Sequence, residues 1–171
     1  HMLIYKNDLH SYRDLPIRMA EFGQVHRHEF SGALNGLLRV RTFCQDDAHI
    51  FVTPEQIEDE IALALQIIDH VYKVFGFEYD IELSTRPDDY MGELALWDKA
   101  EQALENVLKR LGFPYKINEG DGAFYGPKID IHIKDAIKRS HQCATVQLDF
   151  QLPEKFDLTY INEDNEKLRP V

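Results

Sequence analysis

Ile17–Phe51, IRMAEFGQVHRHEFSGALNGLLRVRTFCQDDAHIF, holds the clearest pairing signal in the chain. Two runs within it, Ile17–Glu29 and Leu37–Phe43, have the composition of strands, and Ser31-Gly32-Ala33-Leu34-Asn35-Gly36 joins them. Glycine and asparagine reach positive φ at little cost, which a hairpin tip requires. Paired in this way, the runs set Arg27 and Glu29 opposite Arg39, Arg41 and Phe43. On the first run Ile17, Met19, Glu21, Gly23, Val25 and Arg27 share one face. Polar and apolar groups therefore mix there, as they do where a sheet floors a pocket. Guanidinium forks grip phosphate oxygens in pairs, a ring or an Arg plane stacks on a base, and a carboxylate accepts from an exocyclic amine. The set suits a nucleoside triphosphate, although a solvent-facing hairpin with ordinary Glu–Arg pairs has the same spacing.

The 171 residues amount to one domain, long enough to bury a core, and 44% hydrophobic with 29% charged residues is ordinary for a globular chain. His1-Met2 reads as a cloning remnant and is kept out of the fold reasoning. No apolar run reaches the length of a membrane span, so no membrane partner is expected. Lys and Arg number 19 against 30 Asp and Glu, a formal charge of −11. That balance argues against general nucleic-acid binding, which is driven by basic patches. Cys44 and Cys143 have no metal or redox spacing and are expected to be buried, reduced thiols.

Outside the hairpin, a short helix through Leu9–Tyr12 is expected in the lead-in, Leu3–Leu15. Thr53-Pro54-Glu55-Gln56 opens a longer one with a capping box and Pro at its first position. Ile57, Ile61, Leu65, Ile68, Val71, Tyr72 and Phe75 form its apolar stripe and Gly76 its stop. Glu93–Leu111 has the same helical period, with Trp97 in the apolar stripe and Gly112 at the end. Phe77–Thr85, Phe113–Glu119, Lys128–Ile133 and Cys143–Phe150 read as strands. The last two set polar residues against apolar ones, so the polar face meets either solvent or a cleft. Beyond Leu152, Pro, Asp, Asn and Glu accumulate, and no folded end is expected. The fold class is α+β: an antiparallel sheet flanked by two long helices.

His26-Arg27-His28-Glu29, a loop, then Arg39-Val40-Arg41-Thr42-Phe43 resembles the second signature motif of class II aminoacyl-tRNA synthetases, Arg-x-Glu followed by Arg-x-x-x-Phe. Arg18–Gly23, Gln45–Phe51, Leu83–Pro87, Gly122–Lys128 and Thr145–Phe150 resemble the threonyl branch of that family, in order along nearly the whole chain. Within the class, Asp47 and His49 in Gln45–Phe51 speak against the prolyl and seryl branches. The resemblance implies a class II catalytic core and ATP-dependent activation of threonine to threonyl-adenylate, followed by transfer to tRNA(Thr) in the cytoplasm. It implies Arg27 at the α-phosphate, Glu29 at the adenine amine, Phe43 on the adenine ring and Arg39 on the outer phosphates. Lys128 and Gln142 become further ATP contacts, with Mg²⁺ on the triphosphate. Gln45, Asp47, Tyr125, Thr145 and Gln147 become the threonine pocket, and His49 one of three zinc ligands.

The family's first motif, which carries its homodimer interface, lies outside residues 3–171, as does its third. A second His and a Cys complete the family's zinc site; Cys44 and Cys143 do not fit the place of that Cys. Residues 3–171 are therefore expected to be a partial catalytic domain that holds zinc weakly and activates little threonine by itself. Two other classes share these features: a nucleotide-binding module without catalysis, and an interaction module that exposes apolar sheet surface.

Overall fold

In the computed structural model, which describes residues 1–171, the hairpin forms from β1 (Ile17–His26) and β2 (Thr42–Phe51). The ladder is antiparallel, from Ile17 opposite Phe51 to His26 opposite Thr42. Its second strand lies later in the chain than the composition predicts: Leu37–Arg41 belongs to the connection, and Gln45–Phe51 is strand. The base of the ribbon sets this register. Phe51 is 2% exposed in a cluster with Tyr5, Leu15, Leu158 and Tyr160, and a slip of one residue would turn it to solvent. At the other end the Arg27 N–H donates to the Arg41 carbonyl (2.9 Å), carrying the pairing one step past the ladder. Asn35 then bridges Arg39 in a tight turn that leaves Leu37 and Leu38 exposed.

After β2 the Thr53 capping box forms as expected, with Gln56 Oε1 accepting from the Thr53 N–H (3.0 Å). A single 3₁₀ turn leads into α2 (Ile57–Phe75), which Gly76 closes at φ 69°, a conformation that suits glycine. β3 (Tyr79–Ser84), α3 (Leu94–Leu111) and β4 (Tyr115–Asn118) form a strand–helix–strand unit, and β5 (Lys128–Lys134) and β6 (Ser140–Gln147) complete a sheet ordered β4-β3-β5-β6. The sheet is mixed rather than wholly antiparallel. β3 pairs with β4 in parallel because α3 returns the chain to its starting edge before β4 begins. The other pairings are antiparallel.

Ile57, Ile61 and Leu65 of α2 and Leu104, Val107 and Leu108 of α3 pack on Ile81, Leu83, Ile129 and Ile131 of the sheet. Trp97 is buried too, its indole N–H donating to the Met91 carbonyl (2.8 Å). Val71 and Phe75, expected in the apolar stripe of α2, are exposed. Ile68 and Tyr72 hold the core-facing positions there, and Phe75 stacks on Phe77 at 5.8 Å instead.

Both cysteines are exposed, against expectation. Cys44 alternates out of the Phe43 face, and Cys143 is the extra residue of a bulge on the edge strand β6.

The first helix, α1 (Met2–Lys6), precedes the predicted Leu9–Tyr12 segment. That segment runs extended instead, because its backbone bonds to Ile161 through Tyr12 N–H (2.8 Å) and the His10 carbonyl (2.9 Å). The end of the chain is folded as well, in α4 (Gln151–Lys155) and the short pair β7 (Tyr160–Ile161) and β8 (Lys167–Leu168). Val171 exchanges two backbone hydrogen bonds with Val52, at 3.0 and 2.9 Å. Backbone pairing, to which polar residues are no obstacle, overrides the composition here.

Candidate functional site

Four predicted nucleotide contacts gather at the ribbon tip. The Arg27 guanidinium lies over the Phe43 ring, 5.1 Å from its centroid. Arg39 donates to Glu29 Oε2 through Nε (3.2 Å) and Nη2 (3.1 Å). Arg41, which the resemblance gives no role, donates to the Glu29 carbonyl (2.9 Å) and fixes that residue's backbone. The cation–π contact is a diagonal one, since Phe43 stands opposite Val25 and Arg27 opposite Arg41, and the Glu29–Arg39 pair lies just past the end of the ladder.

Period-two alternation then sets Phe43, Gln45, Asp47, His49 and Phe51 along one face of β2, opposite Val25, Gly23, Glu21, Met19 and Ile17 of β1. Gln45 and Asp47 are exposed, while His49 is half-buried. The His49 ring stands edge-on to His1 at 4.9 Å, with the two Nδ1 atoms 2.8 Å apart. No three His, Cys, Asp or Glu side chains are grouped to hold a metal, so these residues do not make up a zinc site between them.

Of the remaining predicted residues, Lys128, Gln142, Thr145 and Gln147 lie on β5 and β6, on the face opposite Ile129 and Ile131, and Tyr125 lies in the turn before β5. The Tyr125 hydroxyl donates to Gln147 Oε1. Gly126 lets this turn close, since a Cβ there would overlap the Leu148 carbonyl oxygen. Lys128, Gln142 and Thr145 converge on Asp130, which is 1% exposed. Its Oδ2 meets Lys128 Nζ (2.7 Å) and accepts from Ser84 Oγ (2.8 Å). Its Oδ1 accepts from Gln142 Nε2 (2.7 Å) and from the Thr145 hydroxyl (3.1 Å). Gln142 and Thr145 stand three apart, yet share a face because the bulge inserts Cys143 between them.

Electrostatics links ribbon and sheet. Burial pushes the Tyr125 phenol up, helped by the carboxylates of Asp149 and Asp47 and opposed by Lys128. Burial likewise raises the Asp149 carboxyl, against the pull of the Leu152 and Gln151 N–H groups and the charges of Lys155 and His49. Asp47 and His49 of β2 thus lie within electrostatic reach of Tyr125 and Asp149. Burial alone would lower the Lys128 ammonium, but Asp130 and Asp121 carry it above the ordinary lysine value.

Asp130 and Asp149 received no role from the sequence. The signal for Asp130 was present: a carboxylate between isoleucines on an alternating strand, on the same face as Lys128.

This arrangement, Arg-x-Glu and Arg-x-x-x-Phe at the tip of a two-stranded ribbon beside a helix-backed sheet, is that of a class II synthetase core. The profile of the tRNA synthetase class II core domain (G, H, P, S and T) matches residues 1–171, and the chain belongs to that family. It is 75% identical over its full length to threonine--tRNA ligase 2 of Bacillus subtilis, and spans 27% of that relative. Among solved structures it resembles the RNA binding domain of threonyl-tRNA synthetase from Cryptosporidium parvum, with TM-score 0.94 and 53% identity. That match covers 99% of this chain and 43% of the other. A putative threonyl-tRNA synthetase of Aeropyrum pernix matches with TM-score 0.81 and 34% identity, over 92% of this chain and 38% of its own. No helix is long and apolar enough to cross a membrane.

Proposed function

We propose that this chain is the nucleotide- and threonine-gripping part of a threonine–tRNA ligase. The observation that carries the reading is the ribbon tip: Arg27 over Phe43, with Glu29 and Arg39 paired beside them. In the reaction the threonine carboxylate attacks the α-phosphorus of ATP, a Pα–O bond forms to the amino acid, and the bond to pyrophosphate breaks. A ribose hydroxyl of the terminal adenosine of tRNA(Thr) then attacks the threonyl carbonyl, an ester bond forms, and the bond to the phosphate breaks to release AMP.

Such a transfer asks the protein mainly for positioning and charge stabilisation. Arg27 follows the charge developing on the α-phosphate oxygens, and Phe43 presents its ring to adenine. Glu29 accepts from the adenine amine and Arg39 reaches the outer phosphates. Lys128 and Gln142 contact the nucleotide from the sheet side, and ATP enters as its Mg²⁺ complex. Gln45, Asp47, Tyr125, Thr145 and Gln147 form the threonine pocket, where bonds to the hydroxyl reject valine far better than an apolar wall would. Of the zinc ligands that the family resemblance implies, the chain offers His49. The first signature motif, outside these residues, carries the homodimer contact, and the site of action is cytoplasmic.

The test replaces the matching segment of the full-length bacterial relative with this chain and measures threonine-dependent ATP–pyrophosphate exchange. Arg27→Ala is expected to lower kcat by about 10²–10³-fold, the cost typical of removing one transition-state donor. Exchange that survives Arg27→Ala within twofold would refute the assignment, and the 171-residue chain alone is expected to show little exchange.

A further inference from the structure

The only ionisable side chain of the sheet that is almost completely buried is one the proposed mechanism does not use. Asp130 is 1% exposed, and a carboxylate at that depth survives only if its oxygens are fully engaged. Here each oxygen has two partners: Lys128 and Ser84 on Oδ2, Gln142 and Thr145 on Oδ1. Of these, only Ser84 is outside the proposed ligand contacts.

An ionised carboxylate can only accept hydrogen bonds, and this dictates the orientation of its neighbours. The Gln142 amide must turn its NH₂ toward Asp130, so its carbonyl oxygen is left to accept from a ligand. The Gln142 NH₂ also donates to Thr145 Oγ1 (2.7 Å). Thr145 therefore spends its own proton on Asp130 and presents its oxygen as an acceptor. The Lys128 ammonium is anchored by the same carboxylate.

We propose that Asp130 is a positioning residue that locks Gln142, Thr145 and Lys128 into one hydrogen-bonding pattern and thereby ties the nucleotide side of the site to the threonine side. The inference rests on the function proposed above.

Asp130→Asn keeps the volume but brings an NH₂ group, which lets the Gln142 amide turn over and releases Lys128. In the same full-length graft, the KM for ATP and the KM for threonine should both rise roughly tenfold, the scale of one hydrogen bond to a charged group. A merely structural role would reduce the amount of active enzyme and its melting temperature and leave both KM values alone. Unchanged KM values in the variant, with the unmutated graft active, overturn this proposal and spare the function.

An unmutated graft without threonine-dependent exchange overturns the function, and this proposal with it. If Asp130→Asn does not fold, Ser84→Ala takes its place, since it removes one partner of the carboxylate without touching a ligand contact. Both KM values should then rise about threefold, and no change in either would refute the positioning role.

Discussion

Asp149, within electrostatic reach of Tyr125 and His49, is held by two backbone donors, Gln151 N–H at 2.7 Å and Leu152 N–H at 3.1 Å. Burial nevertheless raises its carboxyl above the ordinary 3.8. A raised carboxyl favours the folded state only while protonated, and that contribution disappears as pH climbs through the folded value. At neutral pH the charge on Asp149 therefore weakens the fold. Asp149→Asn retains an acceptor for both N–H groups and removes the charge. Its melting temperature is expected to exceed that of the parent chain at pH 7, with the gap closing as pH falls through the raised folded value toward 3.8. A variant less stable at pH 7 would mean that the two backbone bonds outweigh burial. Single residues like this are where sequence was least informative. The Arg-x-Glu and Arg-x-x-x-Phe spacings point to Arg27, Glu29, Arg39 and Phe43 as one group, and these side chains do meet at the ribbon tip, whereas the depth of Asp130 and Asp149 depends on neighbours contributed by distant strands.

Among the elements, alternation and capping located most of what the structure contains. The capping box at Thr53, the glycine stop at Gly76 and the polar face of β5 were all legible, because each depends on residues a few positions apart. Composition sets the second ribbon strand at Leu37–Phe43, too early, since the register is fixed by Phe51 against Tyr5 and Leu158. No local pattern reports contacts that far apart in the chain. The turn at Tyr125-Gly126-Pro127 is the element most exposed to a single change. A methyl group at position 126 would collide with the Leu148 carbonyl oxygen, and neither backbone can yield easily. Gly126→Ala is expected to destabilise the chain by about 1–3 kcal/mol, as overpacking generally does, and to displace the Tyr125 hydroxyl from Gln147. Urea denaturation measures the first effect, and an unchanged midpoint would show that the turn has room to move.

For the molecule as a whole, tyrosines set the alkaline limit of stability. Burial raises Tyr5 to about 12, and it lifts Tyr72 and Tyr160 as well. For Tyr79 burial acts together with the Asp69 carboxylate. Each phenol is neutral when protonated, so its contribution is complete below its ordinary 10.0 and is lost as pH rises toward its folded value. The melting temperature should hold to about pH 10 and then fall steeply toward pH 12, with tyrosinate absorbance rising in step with unfolding. Absorbance that climbs well before the structure melts would show these phenols to be open to solvent.

At this scale, too, the two halves of the candidate site are built separately, the ribbon of β1 and β2 sharing no backbone ladder with the four-stranded sheet. Cys44 sits on the ribbon and Cys143 on the sheet edge, and both thiols are exposed. The two thiols thus form a ready-made pair of attachment points for fluorophores, one on the ribbon and one on the sheet. Energy transfer between them follows the separation of ribbon and sheet on the unaltered sequence as ATP and threonine are added.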